Sequence, residues 1–340
     1  MFKTKQLPAI AALTSLIILG AEASTASATD TIYEDKVSNS SQNFQGSVTK
    51  KARPKVGLAL GGGGARGAAH VGVLKILEQQ GITIDYIAGT NVGAVVGGLY
   101  AAGISLDSME EMFVKRSLLK AYLTVPLKVR ILVIPLFSTS RLVGRKSLDG
   151  LYRGNRFRKF LNRYVPESER DLTDLKIPFG AVTFDLIDGE VKVLKEGNLG
   201  KVLQASSAIP VLRKPVKMKT SSGDNHLFVD GGVAVNLPVK QVREMGADVV
   251  IAVNLNDSRT ASKESEFYKV GSVSHRVIQL HLKSIDKEQL ENADLVIDPD
   301  VDGIGLISSS QKDAEYAIKA GESAALKELD KLHKLTKTGH

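Results

Sequence analysis

The chain has 340 residues, 43% of them hydrophobic, a formal net charge of +8 and no cysteine. Its length and apolar content allow one large core or two modest ones, and exclude a wholly disordered chain. The absence of cysteine excludes disulfides, a lipidated N-terminal cysteine, thiolate metal sites and a thiol nucleophile.

Lys3 and Lys5 precede an apolar stretch from Ile10 to Leu19 and small residues ending in Ala26-Ser27-Ala28. This is the layout of a secretory signal peptide over residues 1–28, cleaved after Ala28, and it predicts export to the periplasm or the medium. An uncleaved anchor and a buried helix are the competing readings, although the stretch is short for a membrane span. Residues 29–54, centred on Ser38-Asn39-Ser40-Ser41-Gln42-Asn43, hold few apolar side chains and read as a flexible leader. Order is expected to begin near Lys55.

From Val56 the pattern alternates between strand and helix. An apolar run over 56–60 leads through a glycine turn into a helix over 66–80, closed by Gly81, and a strand over 86–89 leads into a helix of small residues. Further strands are expected at 179–184, 190–194, 227–229, 249–253 and 295–297. Helices are expected at 105–116, 153–164, 199–207, 239–245 and 313–335. Runs such as Val249-Val250-Ile251-Ala252-Val253 are apolar throughout, as parallel strands covered on both faces must be. One doubly wound α/β domain over 55–340 holds all of them, with C-terminal helices (270–337) packed on it.

Gly61-Gly62-Gly63-Gly64-Ala65-Arg66-Gly67 follows the first strand and opens the first helix. Converging backbone N–H groups and a helix N-terminus suit this turn to an anion or a developing oxyanion. Two alternatives are a nucleotide site, since Gly62, Gly64 and Gly67 have the dinucleotide spacing, and a tight turn that binds nothing. The dinucleotide fingerprint lacks its acid at the end of the second strand, and the Lys-Ser or Lys-Thr of a phosphate loop is absent.

The second turn, Gly89-Thr90-Asn91-Val92-Gly93, has the form of a nucleophile elbow, a strained strand-to-helix turn that pushes its apex side chain out of the sheet. The apex is Asn91, where a hydrolase of this design needs serine. A carboxamide has no O–H or S–H to activate, so Asn91 cannot attack. Thr90 should project elsewhere, and Ser206 and Ser207 read as helix packing.

Asp230-Gly231-Gly232 ends a short strand, which places an acid to face a site; the bland reading is a turn or capping aspartate. The six histidines show no metal spacing, His275 and His281 being six apart, and His70 reads as a packed helix residue. No metal or cofactor is expected. Between Leu118 and Pro166 the only acid is Asp149, among bases from Lys120 to Arg163. Interleaved with them, Leu127, Ile131, Leu132, Ile134, Leu136 and Phe137 form an apolar run. Region 118–166 could meet an anionic membrane surface or be a solvated basic face; the lack of aromatic residues suited to stacking argues against nucleic acid.

Gly62 to Gly67, Gly89 to Gly93 and Asp230 to Gly232, in this order, resemble the patatin-like phospholipase family, in its bacterial branch related to neuropathy target esterase. The likeness is clearest over 55–255 and includes Gly150-Leu151-Tyr152-Arg153-Gly154, the strand end at Thr183 to Asp185, and Ala205 to Pro210. It implies a three-layer fold, helices on both faces of a mainly parallel sheet, and hydrolysis of lipid acyl esters by a serine–aspartate dyad without histidine. By the same resemblance Asp230 would be the base. The N–H groups of Gly63 and Gly64, with neighbours Gly62, Ala65, Arg66 and Gly67, would form the oxyanion hole. The nucleophile falls on Asn91, so the resemblance implies a hydrolase that is inactive or strongly impaired, or alternatively a lipid-binding pseudoenzyme.

Overall fold

The first strand, β1 (Val56–Leu60), is apolar and buried from end to end. That requires cover on both faces of the sheet, and the chain supplies it. The computed structural model describes residues 53–125, 148–219, 223–256, 261–268 and 271–337. The expected signal peptide, most of the leader, and the apolar run with its bases over 126–147 lie outside the described residues.

After β1 come a 3₁₀ turn (Gly64–Gly67), α1 (Ala68–Gln79), β2 (Tyr86–Thr90), α2 (Val92–Ala101), α3 (Leu106–Val114), α4 (Ser117–Tyr122) and α5 (Asn155–Asn162). The middle of the chain supplies β3 (Phe179–Asp185), β4 (Glu190–Leu194), α6 (Leu199–Ser206), β5 (Val216–Lys219) and β6 (Asn225–Asp230). Then follow α7 (Val239–Glu244), β7 (Val249–Val253), α8 (Ser272–Ile285), α9 (Lys287–Glu291), β8 (Leu295–Ile297), α10 (Gln311–Lys327) and α11 (Leu329–Thr336).

The eight strands form one sheet in the order β5-β6-β3-β2-β1-β7-β8, with β4 also paired to β3. Pairings β3-β2-β1-β7-β8 are parallel, whereas β4 and β6 run antiparallel to β3, and β5 antiparallel to β6. This is the expected mainly parallel α/β sheet with an antiparallel end. Alternate residues of one strand enter opposite layers. Leu58 and Leu60 join the core under α1 and α2, and Ala59 joins the one under α7.

Two glycines bring α1 and α10 together. A Cβ on Gly72 would stand 2.0 Å from Ile318 O, and one on Gly321 2.0 Å from Ala69 O. The helix expected over 313–335 is two helices, divided at Glu328. The one expected from residue 66 begins as a 3₁₀ turn, because the glycine turn is still turning there. β5 and α4 were not expected. β5 carries lysines and lies at the sheet's end, where no apolar run marks a strand.

Candidate active site

Two strand ends are aimed at each other along one edge of β3. β2 runs parallel to β3 and stops at Thr90, opposite Val182. β6 runs antiparallel to β3 and stops at Asp230, opposite Thr183. Because β4 occupies the other edge of β3 over 181–185, β2 and β6 must share this one. Their carboxyl ends meet, and Asn91 and Asp230, 139 positions apart, become hydrogen-bonded neighbours. The glycine turn after β1 opens beside them, at the carboxyl ends of the parallel strands where α/β sheets place ligands.

Asn91 has φ 55° and ψ −118°, a strained backbone held by its surroundings. A Cβ on Gly93 would lie 2.1 Å from Leu60 O, and one on Gly89 2.5 Å from Gly93 O, so only glycine allows this turn. Ser206 completes the support: its Oγ accepts the Asn91 N–H at 3.2 Å and donates to Val182 O at 2.7 Å. Thr90 is buried, with Oγ1 donating to Val235 O at 3.1 Å, and Ser207 Oγ donates to Leu203 O at 2.7 Å. The Thr90 and Ser207 hydroxyls are bonded away from Asn91, and Ser206 reaches its backbone N–H and not its side chain. Both ends of the Asn91 amide are engaged: Oδ1 accepts the Val92 N–H at 2.7 Å, and Nδ2 donates to the Asp230 carboxylate.

Asp230 is 5% exposed. Its other oxygen accepts the Gly232 N–H at 2.9 Å, and its own N–H is donated to Ala208 O at 3.1 Å. Burial pushes the carboxyl up to about 7, against the pull of the Gly232 and Asn91 donors. A carboxyl balanced near neutrality between acid and carboxylate has the proton affinity that a general base needs. Gly231 has no room for a side chain, since a Cβ would lie 2.6 Å from Val182 O.

The glycine turn divides its donors. The N–H groups of Gly61, Gly62, Ala65 and Arg66 are donated to Val253 O (3.1 Å), Asn236 O (3.2 Å), Leu306 O (2.8 Å) and Gly63 O (3.2 Å). Gly62, Ala65 and Arg66 therefore have no backbone N–H to spare for an oxyanion. Gly63 and Gly64, both half-buried, make no such bond among the described residues, and Gly64 has φ 58°. The Arg66 side chain is buried, with Nε donating to Ile304 O at 2.8 Å, and it joins the turn to a distant loop. Gly67 is a packing glycine whose Cβ would meet Val92 Cγ2 at 2.2 Å. The turn and the apex touch: a Cβ on Gly62 would stand 3.2 Å from Asn91 Cβ.

Two supporting groups carry no sequence signal. Asn236, whose carbonyl holds Gly62, donates its Nδ2 to Asp286 Oδ2 at 2.8 Å. Asp286 is fully buried and also accepts the Leu237 N–H at 2.8 Å and Asn256 Nδ2 at 2.7 Å. Burial pushes its carboxyl upward against these donors. His70 is buried with Nε2 2.8 Å from Gly61 O, which fixes the first carbonyl of the turn, and burial lowers it to about 4, so it stays neutral. His281 Nε2 lies 3.1 Å from Val233 O, and neither histidine contacts Asn91 or Asp230.

Although the sequence spacing suggests no metal site, the fold gathers Asp185, Asp188 and His226 with ligating atoms within 4.8 Å of one another. These atoms are already engaged, with one another or with neighbouring groups. His226 Nδ1 is bonded to Asp185, the Ile187 N–H donates to Asp185 Oδ1 at 3.0 Å, and Lys192 pairs with Asp188 at 3.4 Å. A surface groove of about 650 Å³ lies elsewhere, lined by Lys75, Tyr100, Asp107 and Lys176 among others, and includes no residue of the three motifs.

Residues 58–243, more than half of the chain, match the patatin-like phospholipase family. The chain is 32% identical over 200 residues to patatin-like phospholipase domain-containing protein 6 of Mus musculus, covering 59% of this chain and 13% of that one. It is 35% identical over 211 residues to an uncharacterised NTE family protein of Mycobacterium bovis, covering 62% of this chain and 52% of that one. It thus spans about half of the bacterial relative and a small part of the mammalian one. A solved structure of VipD from Legionella pneumophila aligns over 82% of this chain and 67% of its own, at 15% identity and a TM-score of 0.44, too low to add to the assignment. The family match on sequence, over a span that includes the glycine turn, the elbow and Asp230, is sufficient: the chain belongs to the patatin-like phospholipase family.

Proposed function

We propose that this site is built for hydrolysis of lipid acyl esters and that the chain as written is silent or strongly impaired, because Asn91 stands where the nucleophile belongs. The observation that carries the reading is the Asn91 Nδ2 bond to Asp230 at the apex of a strained elbow. A serine hydroxyl there would donate to the same carboxylate. Asp230 would take its proton as the oxygen attacks the ester carbonyl, and the Gly63 and Gly64 N–H groups would receive the developing oxyanion. The alcohol would leave with that proton, and water would release the acid in a second, equivalent step. An amide can hold the geometry but cannot attack.

The test compares the purified chain, Asn91→Ser and Asn91→Ser/Asp230→Asn on a soluble short-chain ester and on phospholipid. Loss of a nucleophile costs another hydrolase on the order of 10⁶ in turnover, so Asn91→Ser should exceed the original by at least about 10³. The double variant should fall back. Strong hydrolysis by the original chain would overturn the impairment. The fully engaged Asn91 amide also favours a second reading, a protein that binds lipid without cleaving it. That reading is retained if Asn91→Ser stays inactive while the original binds fatty acid.

Export is part of the same proposal. The basic start, apolar stretch and Ala26-Ser27-Ala28 support it. N-terminal sequencing of the mature protein should begin at Thr29, and a retained Met1 would contradict it.

A further inference from the structure

α8 is amphipathic in composition, yet none of its fourteen residues is buried. Val273, Val277 and Leu280 recur at i, i+4 and i+7 along one stripe, of which Val273 and Leu280 are 59% and 48% exposed and Val277 is half-buried. A helix normally buries such a stripe against its own core. The helix also carries His275, Arg276, His281 and Lys283 and not one acid, within a chain of net charge +8.

Its position is anchored. The imidazole of His281 lies 3.1 Å from the carbonyl of Val233, three residues after Asp230, and Asp286, just past the helix, holds the Leu237 N–H and the Asn236 amide. α8 is therefore fixed to the loop that follows the catalytic-type aspartate. Exposed branched aliphatics stand beside two of the motifs, either next in the chain or across a backbone hydrogen bond. Val233 follows Asp230-Gly231-Gly232, and Ile307 follows the residue whose carbonyl takes the Ala65 N–H of the glycine turn. Val211 stands three residues after Ala208, which accepts the Asp230 N–H.

We propose that α8 is an interfacial helix that lays its Val273–Leu280 stripe into an anionic lipid surface and so brings the loop that follows Asp230 up to the bilayer. This rests on the lipid-directed reading of the site given above. An apolar stripe beside bases and free of acids suits the boundary between acyl chains and anionic headgroups. A second copy of the chain is a poorer occupant, because pairing would set two basic, acid-free helices against each other.

Flotation of the full chain with phosphatidylcholine vesicles, and with vesicles in which roughly one-third of the lipid is phosphatidylglycerol, tests it. The original should float with the anionic vesicles more strongly than with the neutral ones. Val273→Ser/Val277→Ser/Leu280→Ser should bind about tenfold or more weakly, and Lys283→Glu should weaken anionic binding alone. All four positions have exposed side chains or stand on an unburied helix, so unchanged melting curves will show that the variants fold. Equal flotation of the original and the triple variant would overturn the proposal. So would a dimer in sedimentation that the triple variant abolishes without any change in vesicle binding. Soluble-ester hydrolysis by Asn91→Ser reports separately on the chemistry: flotation decides the docking, and the ester decides the reading of the site. In the Asn91→Ser background the triple variant should keep its soluble-ester rate and lose hydrolysis of vesicle lipid.

Discussion

Asn91 illustrates how a single side chain can satisfy a site's geometry while removing its chemistry. Its amide reproduces the hydrogen bond that a serine would donate to Asp230, and the elbow stays intact around it. The sequence makes this residue legible, because its position between Gly89 and Gly93 is a local pattern. It does not reveal Ser206, 115 positions away, which reads as helix packing and in fact ties the Asn91 N–H to Val182 O. No spacing rule connects those residues; the pairing of β2 with β3 and the seating of the end of α6 on β3 do. Ser206→Ala would leave a buried carbonyl and a strained N–H without partners, at a cost of about 1–3 kcal/mol. Urea denaturation should show that loss, and in the Asn91→Ser background turnover on a soluble ester should fall as well. An unchanged midpoint would mean that Ser206 is only filling space.

At the scale of elements, the buried parallel strands were the most legible parts, because an all-apolar run bounded by turns has few other uses. β1 and β7 fall on the expected residues, and β6 extends the expected strand to Asn225–Asp230. What sequence could not supply was the order of strands, hence which ends would meet. Helix contacts were equally hidden. Gly72 and Gly321 look like ordinary helix-weakening glycines, yet each is where one backbone rests on the other. Gly321→Ala would drive a Cβ into Ala69 O and separate α10 from α1, costing roughly 1–3 kcal/mol through overpacking. The melting temperature should fall by several degrees. Because α1 begins at the glycine turn, Gly321→Ala should also weaken whatever the turn binds. A variant that melted like the original would show that the two helices can slide apart without loss.

For the whole molecule, two buried groups set opposing pH dependences. His70 is depressed from 6.5 to about 4, so its contribution is complete above 6.5 and is lost as pH falls toward 4, where the unfolded chain binds a proton that the fold refuses. Asp230 is raised from 3.8 to about 7, so folding is favoured while it stays protonated. That advantage disappears as pH rises from about 4 to 7, where the unfolded chain has already released the proton. Between about 4 and 6.5 the two slopes oppose each other, at full extent about 3 kcal/mol for His70 and about 4 kcal/mol for Asp230. Asp230→Asn removes one of them and leaves the rest of the molecule's titration common to both proteins. The stability of Asp230→Asn relative to the original should therefore climb steadily with pH across this window and level off above about 7, with about 4 kcal/mol as its upper bound. Urea denaturation at a series of pH values reads the difference directly. A gap that did not change with pH would mean that Asp230 titrates as an ordinary carboxylate, and a base of normal proton affinity would then have to serve any hydroxyl placed at position 91.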